Sequence, residues 1–209
     1  MSDSYDEVLP RLRTAYDAMV EVRRRQVDAP WKQAERAAFH DRLPAERRPR
    51  LLEIGAGTGV HGRWFADHGV EVVCTDASGA MVEASRALGL AAEQVDVLGL
   101  DGDGSFDAAF AMNCLLHVPR PTLPAALGAV RTVLKPGGLC YLGQWGGIDR
   151  AAIWAEDVYE PKRFFSYLTD DALLDVAISA GFDVVDFHAL YVAVEPGTHY
   201  QALTLARRE

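Results

Sequence analysis

The stretch LLEIGAGTGVHGRWF, residues 51–65, decides the fold. A short apolar run, Leu51–Ile54, leads into Gly55, Gly57 and Gly59, and helical spacing begins immediately behind them. Glycines in such a turn let the backbone bend sharply and approach a ligand that a Cβ would exclude. The start of the following helix offers free N–H groups and the positive end of its dipole to an anionic group. Asp76, in VVCTDAS, closes the next apolar run 21 residues after Gly55. That spacing sets a carboxylate beside the glycine turn, where it can accept hydrogen bonds from ribose hydroxyls. A plain helix-capping role for Asp76 competes with this reading, and Ser78 competes for the cap. A second register, GTGVHG (Gly57, Gly59, Gly62), fits the dinucleotide fingerprint. It leaves Gly55 inside the strand, where glycine weakens pairing, so the register beginning at Gly55 is preferred.

Outward from this turn, strand and helix patterns alternate. Leu51–Ile54, Val70–Thr75, Ala91–Val95, Phe106–Met112 and Leu139–Gln144 read as buried strands, with helical stretches near 60–68, 79–88 and 121–134. This order predicts a Rossmann-like α/β fold, a mostly parallel sheet with helices on both faces. After residue 145 the order breaks. An aromatic segment, 146–168, precedes a helix begun by Thr169, Asp170 and Asp171 and ended by Gly181. Two closing strands, Phe182–Leu190 and Tyr200–Arg207, make seven in all and imply one antiparallel member. Residues 1–49 read as an N-terminal helical extension to a domain of residues 50–209. Its first helix is expected over 5–28, stopped by Pro30, and a second over Trp31–Leu43.

At 209 residues the chain is one domain of ordinary size, able to bury roughly 70% of its unfolded surface. Apolar content of 49% and charged content of 24% exclude disordered and fibrous classes. No apolar run reaches the ~18 residues of a membrane span, and no secretory signal pattern is visible, so a cytoplasmic protein is expected. Cys74, Cys114 and Cys140 lie apart in apolar runs and read as reduced thiols. The formal net charge is −9, and residues beyond 50 hold 21 acidic against 10 basic side chains. A body so acidic repels a phosphate backbone, which argues against nucleic acid as a partner. Arg23–Arg25 and Arg47, Arg48 and Arg50 read first as solvated faces and second as an anion patch.

With these motifs in order, the sequence resembles the class I S-adenosylmethionine-dependent methyltransferases of the small-molecule type, from about residue 50 onward. EIGAGTG (Glu53–Gly59) resembles the first motif of that family, FDAAFAMNCLLHVP the fourth, and VLKPGGLCYLGQW the turn into the fifth strand. The resemblance implies S-adenosyl-L-methionine as cofactor. It implies that Glu53, Gly55, Gly57 and Gly59 hold it, that Asp76 takes the ribose and Asp96 the adenine side, and that Asn113 lies beside the transferred methyl. Asn113 stands where metal-dependent relatives carry an acid, so no catalytic metal is expected. His117 is the candidate general base. Asp107 reads as structural.

The segment Tyr141–Tyr167 carries seven of the chain's 19 aromatics. A cap over the carboxyl ends of the strands would contact a planar or apolar acceptor. The competing reading is a satellite core beneath a long loop. Candidate acceptor contacts are Tyr16, His61, Trp145, Trp154 and Phe165, with Tyr5, Tyr16 and Trp31 expected in the opposite wall. The function expected is methyl transfer to a small molecule. A nicotinamide-dependent oxidoreductase and a non-catalytic cofactor-binding module are the alternatives.

Overall fold

The computed structural model describes residues 4–44, 48–192 and 195–209. The chain runs α1 (Tyr5–Ala18), α2 (Val20–Arg24), α3 (Pro30–His40), β1 (Arg50–Ile54), α4 (Val60–Asp67), β2 (Glu71–Asp76), α5 (Gly79–Ala87), β3 (Ala91–Gln94) and β4 (Phe106–Met112). It continues α6 (Leu123–Val133), β5 (Leu134–Gly146), β6 (Arg150–Ile153), β7 (Phe164–Tyr167), α7 (Asp170–Ser179), β8 (Phe182–Leu190) and β9 (His199–Arg207). The main sheet has seven strands in the order β3-β2-β1-β4-β5-β9-β8. Only β9 runs against its neighbours β5 and β8; the pairings among β1 to β5 are parallel. The expected seven-stranded Rossmann-like sheet with one antiparallel strand is the sheet observed.

Side chains alternate across the sheet. Ala109, Ala111, Cys140, Leu142, Leu203 and Leu205 face α6 and α7, while Phe110, Tyr141 and Tyr200 face Phe39 of α3 and Phe65 of α4. Ser78 caps α5 by accepting from the Met81 N–H, and Thr169 caps α7 by accepting from Ala172. Asp107, buried at the start of β4, accepts from the Arg50 N–H at 2.9 Å and from Lys135 Nζ at 2.7 Å. It ties three strands at the end of the sheet away from the glycine turn.

The N-terminal region departs from its periodicity. The helix expected over 5–28 ends at Ala18, and a five-residue helix restarts at Val20. The break follows Asp17, whose carboxylate accepts from the Ser78 hydroxyl and the Ala80 N–H at the head of α5. A tertiary tie has overridden the local pattern. Pro30 does not stop a helix; it opens α3 at its first turn, where a missing N–H costs nothing. Residues 146–168 fold largely into a β6–β7 hairpin, a separate two-stranded sheet. Arg47 lies outside the described residues. Arg48 donates to the Val70 carbonyl, and Arg50 bonds Ser105 and pairs with Glu71.

Replacing Asp107 by Ala strands the Arg50 N–H and the Lys135 ammonium. Hydrogen bonds to a charged group contribute about 1.5–3 kcal/mol each. Urea unfolding of Asp107→Ala is expected to show a loss of about 2 kcal/mol on that scale, and an unchanged midpoint would contradict the structural role.

Candidate functional site

The carboxyl ends of β1, β2 and β4 open onto a cleft of about 740 Å³, counted with its solvent-facing part. The turn after β1 is left-handed at Gly55 and Gly57, with φ of 64° and 57°. A Cβ on Gly55 would come within 2.4 Å of the Cys114 Cβ, so the turn is pressed against the segment following β4. Asp76, at the end of β2, accepts from the Gly57 N–H through Oδ2 and from the Ser78 N–H through Oδ1, each at 2.8 Å. Burial raises the Asp76 carboxyl above its ordinary range, against the two N–H bonds and the Arg23 charge. Asn113, also left-handed (φ 57°), donates its backbone N–H to Gly143 and carries a buried Oδ1 with no partner.

The first two helices form the far wall. Tyr5 donates to Asp96 Oδ1 at 3.1 Å and Arg13 to Oδ2 at 3.2 Å, while Oδ1 also accepts from the Leu98 N–H. Arg23 of α2 turns inward, 3.7 Å from where a Gly57 Cβ would stand. Sequence reading took Arg23 first as a solvated residue; its cleft position depends on the helix break at Met19. Arg24 and Arg25 do face solvent.

At one end of the cleft Tyr16 and His117 meet, with Tyr16 Oη 3.0 Å from His117 Nε2. His117 Nδ1 lies 2.7 Å from the Phe164 carbonyl, which can only accept, so Nδ1 carries the proton and Nε2 the lone pair. Tyr16 is therefore the donor to His117. Burial pushes the His117 pKa down to about 4, keeping the ring neutral near pH 7, and burial raises the Tyr16 phenol.

Gly55, Gly57, Asp76, Asp96, Asn113, Tyr16 and His117 share the cleft wall. The other expected site residues stand outside it. Glu53 is buried behind the turn, accepting from the Cys74 thiol at 3.4 Å and from the Gly62 N–H. Gly59 heads α4 and packs against Ser85 and Leu90. His61 faces α3, 3.3 Å from Arg36 and 3.5 Å from Asp28, and its ring packs on Phe110. Trp145 projects to the α3 face of the sheet, edge-on to Trp31 and Tyr200. Trp31 lies there too, away from the wall that Tyr5 and Tyr16 help to form. Trp154 is 41% exposed and meets the cleft only through Phe165, whose ring is 4.7 Å from His117. Among the described residues no cluster of three or more His, Cys, Asp or Glu side chains is placed to hold a metal.

Residues 51–138 match the family model described as a methyltransferase domain. Over those residues the chain is similar to the methyltransferase domain family. Among curated relatives, the ubiquinone biosynthesis O-methyltransferase of Xanthomonas oryzae pv. oryzae is 35% identical over 101 residues. That alignment takes in 44% of this chain and 41% of the relative, so the chain spans about two fifths of the relative's length. Among solved structures, a Burkholderia thailandensis 1,6-didemethyltoxoflavin-N1-methyltransferase with bound 1,6-didemethyltoxoflavin and S-adenosylhomocysteine superposes with a TM-score of 0.80. It is 21% identical and covers 99% of this chain and 92% of its own. The [4+2]-cyclase SpnF superposes with a TM-score of 0.74 at 18% identity, covering 99% of this chain and 98% of its own. These two likenesses establish the methyltransferase fold over nearly the whole chain.

Glu53 gives this site a pH signature. Burial pushes its carboxyl up to about 8, so the folded protein keeps a proton that the unfolded chain releases in the ordinary carboxylate range. Raising the pH from that range to about 8 therefore favours unfolding through this group. Denaturant midpoints measured across the window should show Glu53→Gln losing less stability than the parent protein, and parallel profiles would contradict it.

Proposed function

We propose that this chain is an S-adenosylmethionine-dependent methyltransferase acting on a small-molecule acceptor. The observation that carries the proposal is the Asp76 carboxylate, held by two backbone N–H groups beside a turn that is left-handed at Gly55 and Gly57, in a cleft where Asn113 Oδ1 waits unpaired. These residues fit the cofactor. Asp76 would take the ribose hydroxyls, and the Gly55–Gly57 backbone would approach the amino-acid portion. Arg23 would face its carboxylate, and Asn113 Oδ1 would accept from a donor of the cofactor. Asp96 would receive the adenine side. Glu53 and Gly59 would act from behind, keeping the turn in shape.

Bound there, the cofactor supplies a sulfonium methyl that is already electrophilic. The protein's work is then to orient the acceptor and exclude water, effects able to lower a barrier by several kcal/mol. Tyr16 and His117 make a neutral proton acceptor at the cleft end, and we assign His117 as the general base acting through the Tyr16 hydroxyl. Phe165, against His117, is the cap aromatic that best suits contact with a planar or apolar acceptor. His61, Trp145 and Trp154 have no such support. In this reading residues 1–49 are an extension that covers the cofactor, 50–209 the catalytic domain, and 146–168 its cap.

The net charge of −9 supports a small molecule over nucleic acid. No helix among the described residues is long and apolar enough to cross a membrane, and with three free cysteines we assign the protein to the cytoplasm. Against the oxidoreductase reading, the left-handed turn begins at Gly55, which lines the cleft together with Gly57, so the GTGVHG register leaves out the first glycine of the turn.

Calorimetric titration tests the assignment. S-adenosylhomocysteine should bind and NAD should not. Asp76→Asn, which keeps an acceptor for the loop but loses the charge, should weaken S-adenosylhomocysteine by about tenfold or more, the equivalent of about 1.5–3 kcal/mol. Equal affinity in the two proteins would remove Asp76 from the ribose site.

A further inference from the structure

Resting on the methyltransferase reading, a second layer of residues explains how the Tyr16–His117 pair acquires its proton direction. Arg163, at the foot of β7, donates from Nη1 to Tyr16 Oη at 3.0 Å. Its Nε and Nη2 engage both oxygens of Asp157, at 2.8 and 2.9 Å, and its backbone N–H also donates to Asp157 Oδ2 at 2.9 Å. The Asp157 side chain is fully buried. The guanidinium carbon sits 3.5 Å from the Tyr159 ring centroid, so the fork is stacked as well as paired and cannot swing. The next residue, Phe164, supplies the carbonyl that accepts from His117 Nδ1.

Two consecutive cap residues thus hold the two ends of the pair. Phe164 takes the Nδ1 proton, which leaves the Nε2 lone pair facing Tyr16. Arg163 fills one lone pair of the Tyr16 oxygen with a charged donor, which fixes the phenol and turns its own proton onto Nε2. We propose that Arg163 is a positioning residue which, locked by Asp157, sets the proton direction of the Tyr16–His117 relay. The cofactor, when bound, would supply its methyl to the acceptor's lone pair and keep the carbon–sulfur electron pair. The acceptor's proton then passes to Tyr16 Oη, and the Tyr16 proton to His117 Nε2. Tyr16 ends neutral, and the positive charge lost at sulfur reappears on His117. The groups facing this pair are Arg163, Arg23, Asp157 and Tyr159. Burial first, and the two arginines after it, disfavour a standing imidazolium against the opposing Asp157 charge, so the charge on His117 is transient and the proton leaves the pair once the product has formed.

The tautomer is directly measurable. Long-range proton–nitrogen correlation spectra of the full-length, nitrogen-15-labelled protein should show His117 protonated at Nδ1 with a hydrogen-bonded lone pair at Nε2. Arg163→Gln should replace that single pattern with a mixture of tautomers, and Arg163→Lys, which keeps a charged donor, should restore part of it. Tyr16→Phe, which leaves the Arg163–Asp157 pair intact, should shift the Nε2 resonance alone. S-adenosylhomocysteine affinity should be unchanged in Arg163→Lys and Arg163→Gln. Protonation of His117 at Nε2 in the parent protein would overturn the proposal. So would an unaltered His117 pattern in Arg163→Gln accompanied only by a lower melting temperature. If Arg163→Gln does not fold, Arg163→Lys and Tyr16→Phe decide the matter. Failure of the parent protein to bind S-adenosylhomocysteine would count against the methyltransferase reading instead, since the tautomer is read without cofactor.

Discussion

The Asp76 carboxylate, shared between the Gly57 and Ser78 N–H groups, is the interaction on which the site depends. It joins the turn after β1 to the head of α5, so that two backbone segments meet around one charge. Burial of that charge is costly, and the two N–H bonds with Arg23 nearby are what offset the cost. The geometry propagates sideways. Gly55 lies close against Cys114, and the chain leaving β4 is left-handed at Asn113 before the Leu115–His117 turn begins. His117 is thereby delivered to the same cleft that Asp76 organises.

The cleft is incomplete without the first two helices, α1 and α2, which pack on the fold through polar ties more than through a shared apolar core. Asp17 bonds the head of α5, Tyr5 and Arg13 bond Asp96, and Tyr16 bonds His117. Only Val8 and Ala15 of α1 are buried apolar positions. The Arg13–Asp96 pair is partly exposed, with 39% and 19% of the two side chains accessible, and such pairs contribute about 0–1 kcal/mol. The polar ties at the cleft therefore matter here for the position of the side chains more than for the stability of the fold. Both oxygens of Asp96 are engaged by these helices, Oδ1 by Tyr5 and Oδ2 by Arg13.

What the sequence disclosed and what it concealed divide along contact distance. The alternating strands, the glycine turn and Asp76 at its fixed spacing are local patterns, and each stands where the reading put it. Arg23, Asp17, Asp157 and Arg163 carry no local pattern. Asp17 meets Ser78 across 61 residues, and Arg23 reaches the cleft from the short helix that restarts after Met19. Arg163 meets Tyr16 across 147 residues. Trp145 was a different kind of miss. Strand alternation puts it on the opposite face from Leu142 and Cys140, so the signal that it points toward α3 was present in the strand itself. His61 was lost to helix phase, because α4 turns it toward Phe110 and away from the turn that precedes it.

A shared fold does not settle a reaction. A methyltransferase and a [4+2]-cyclase both superpose on this chain, so the chemistry must be argued from the side chains at the cleft. Under the proposed reading, the decisive quantity is the His117 basicity. An imidazole whose basicity burial has lowered to about 4 is a weak acceptor for the proton of a phenol of ordinary pKa. Such a base cannot prepare a phenolate in advance. It can take a proton that becomes strongly acidic as the new bond to carbon forms, because an oxygen or nitrogen gaining a methyl gains positive character. The acceptor that fits is thus one whose lone pair attacks while the proton is still attached. The relay then captures that proton as it is shed, and Arg163 keeps Tyr16 aligned for the transfer.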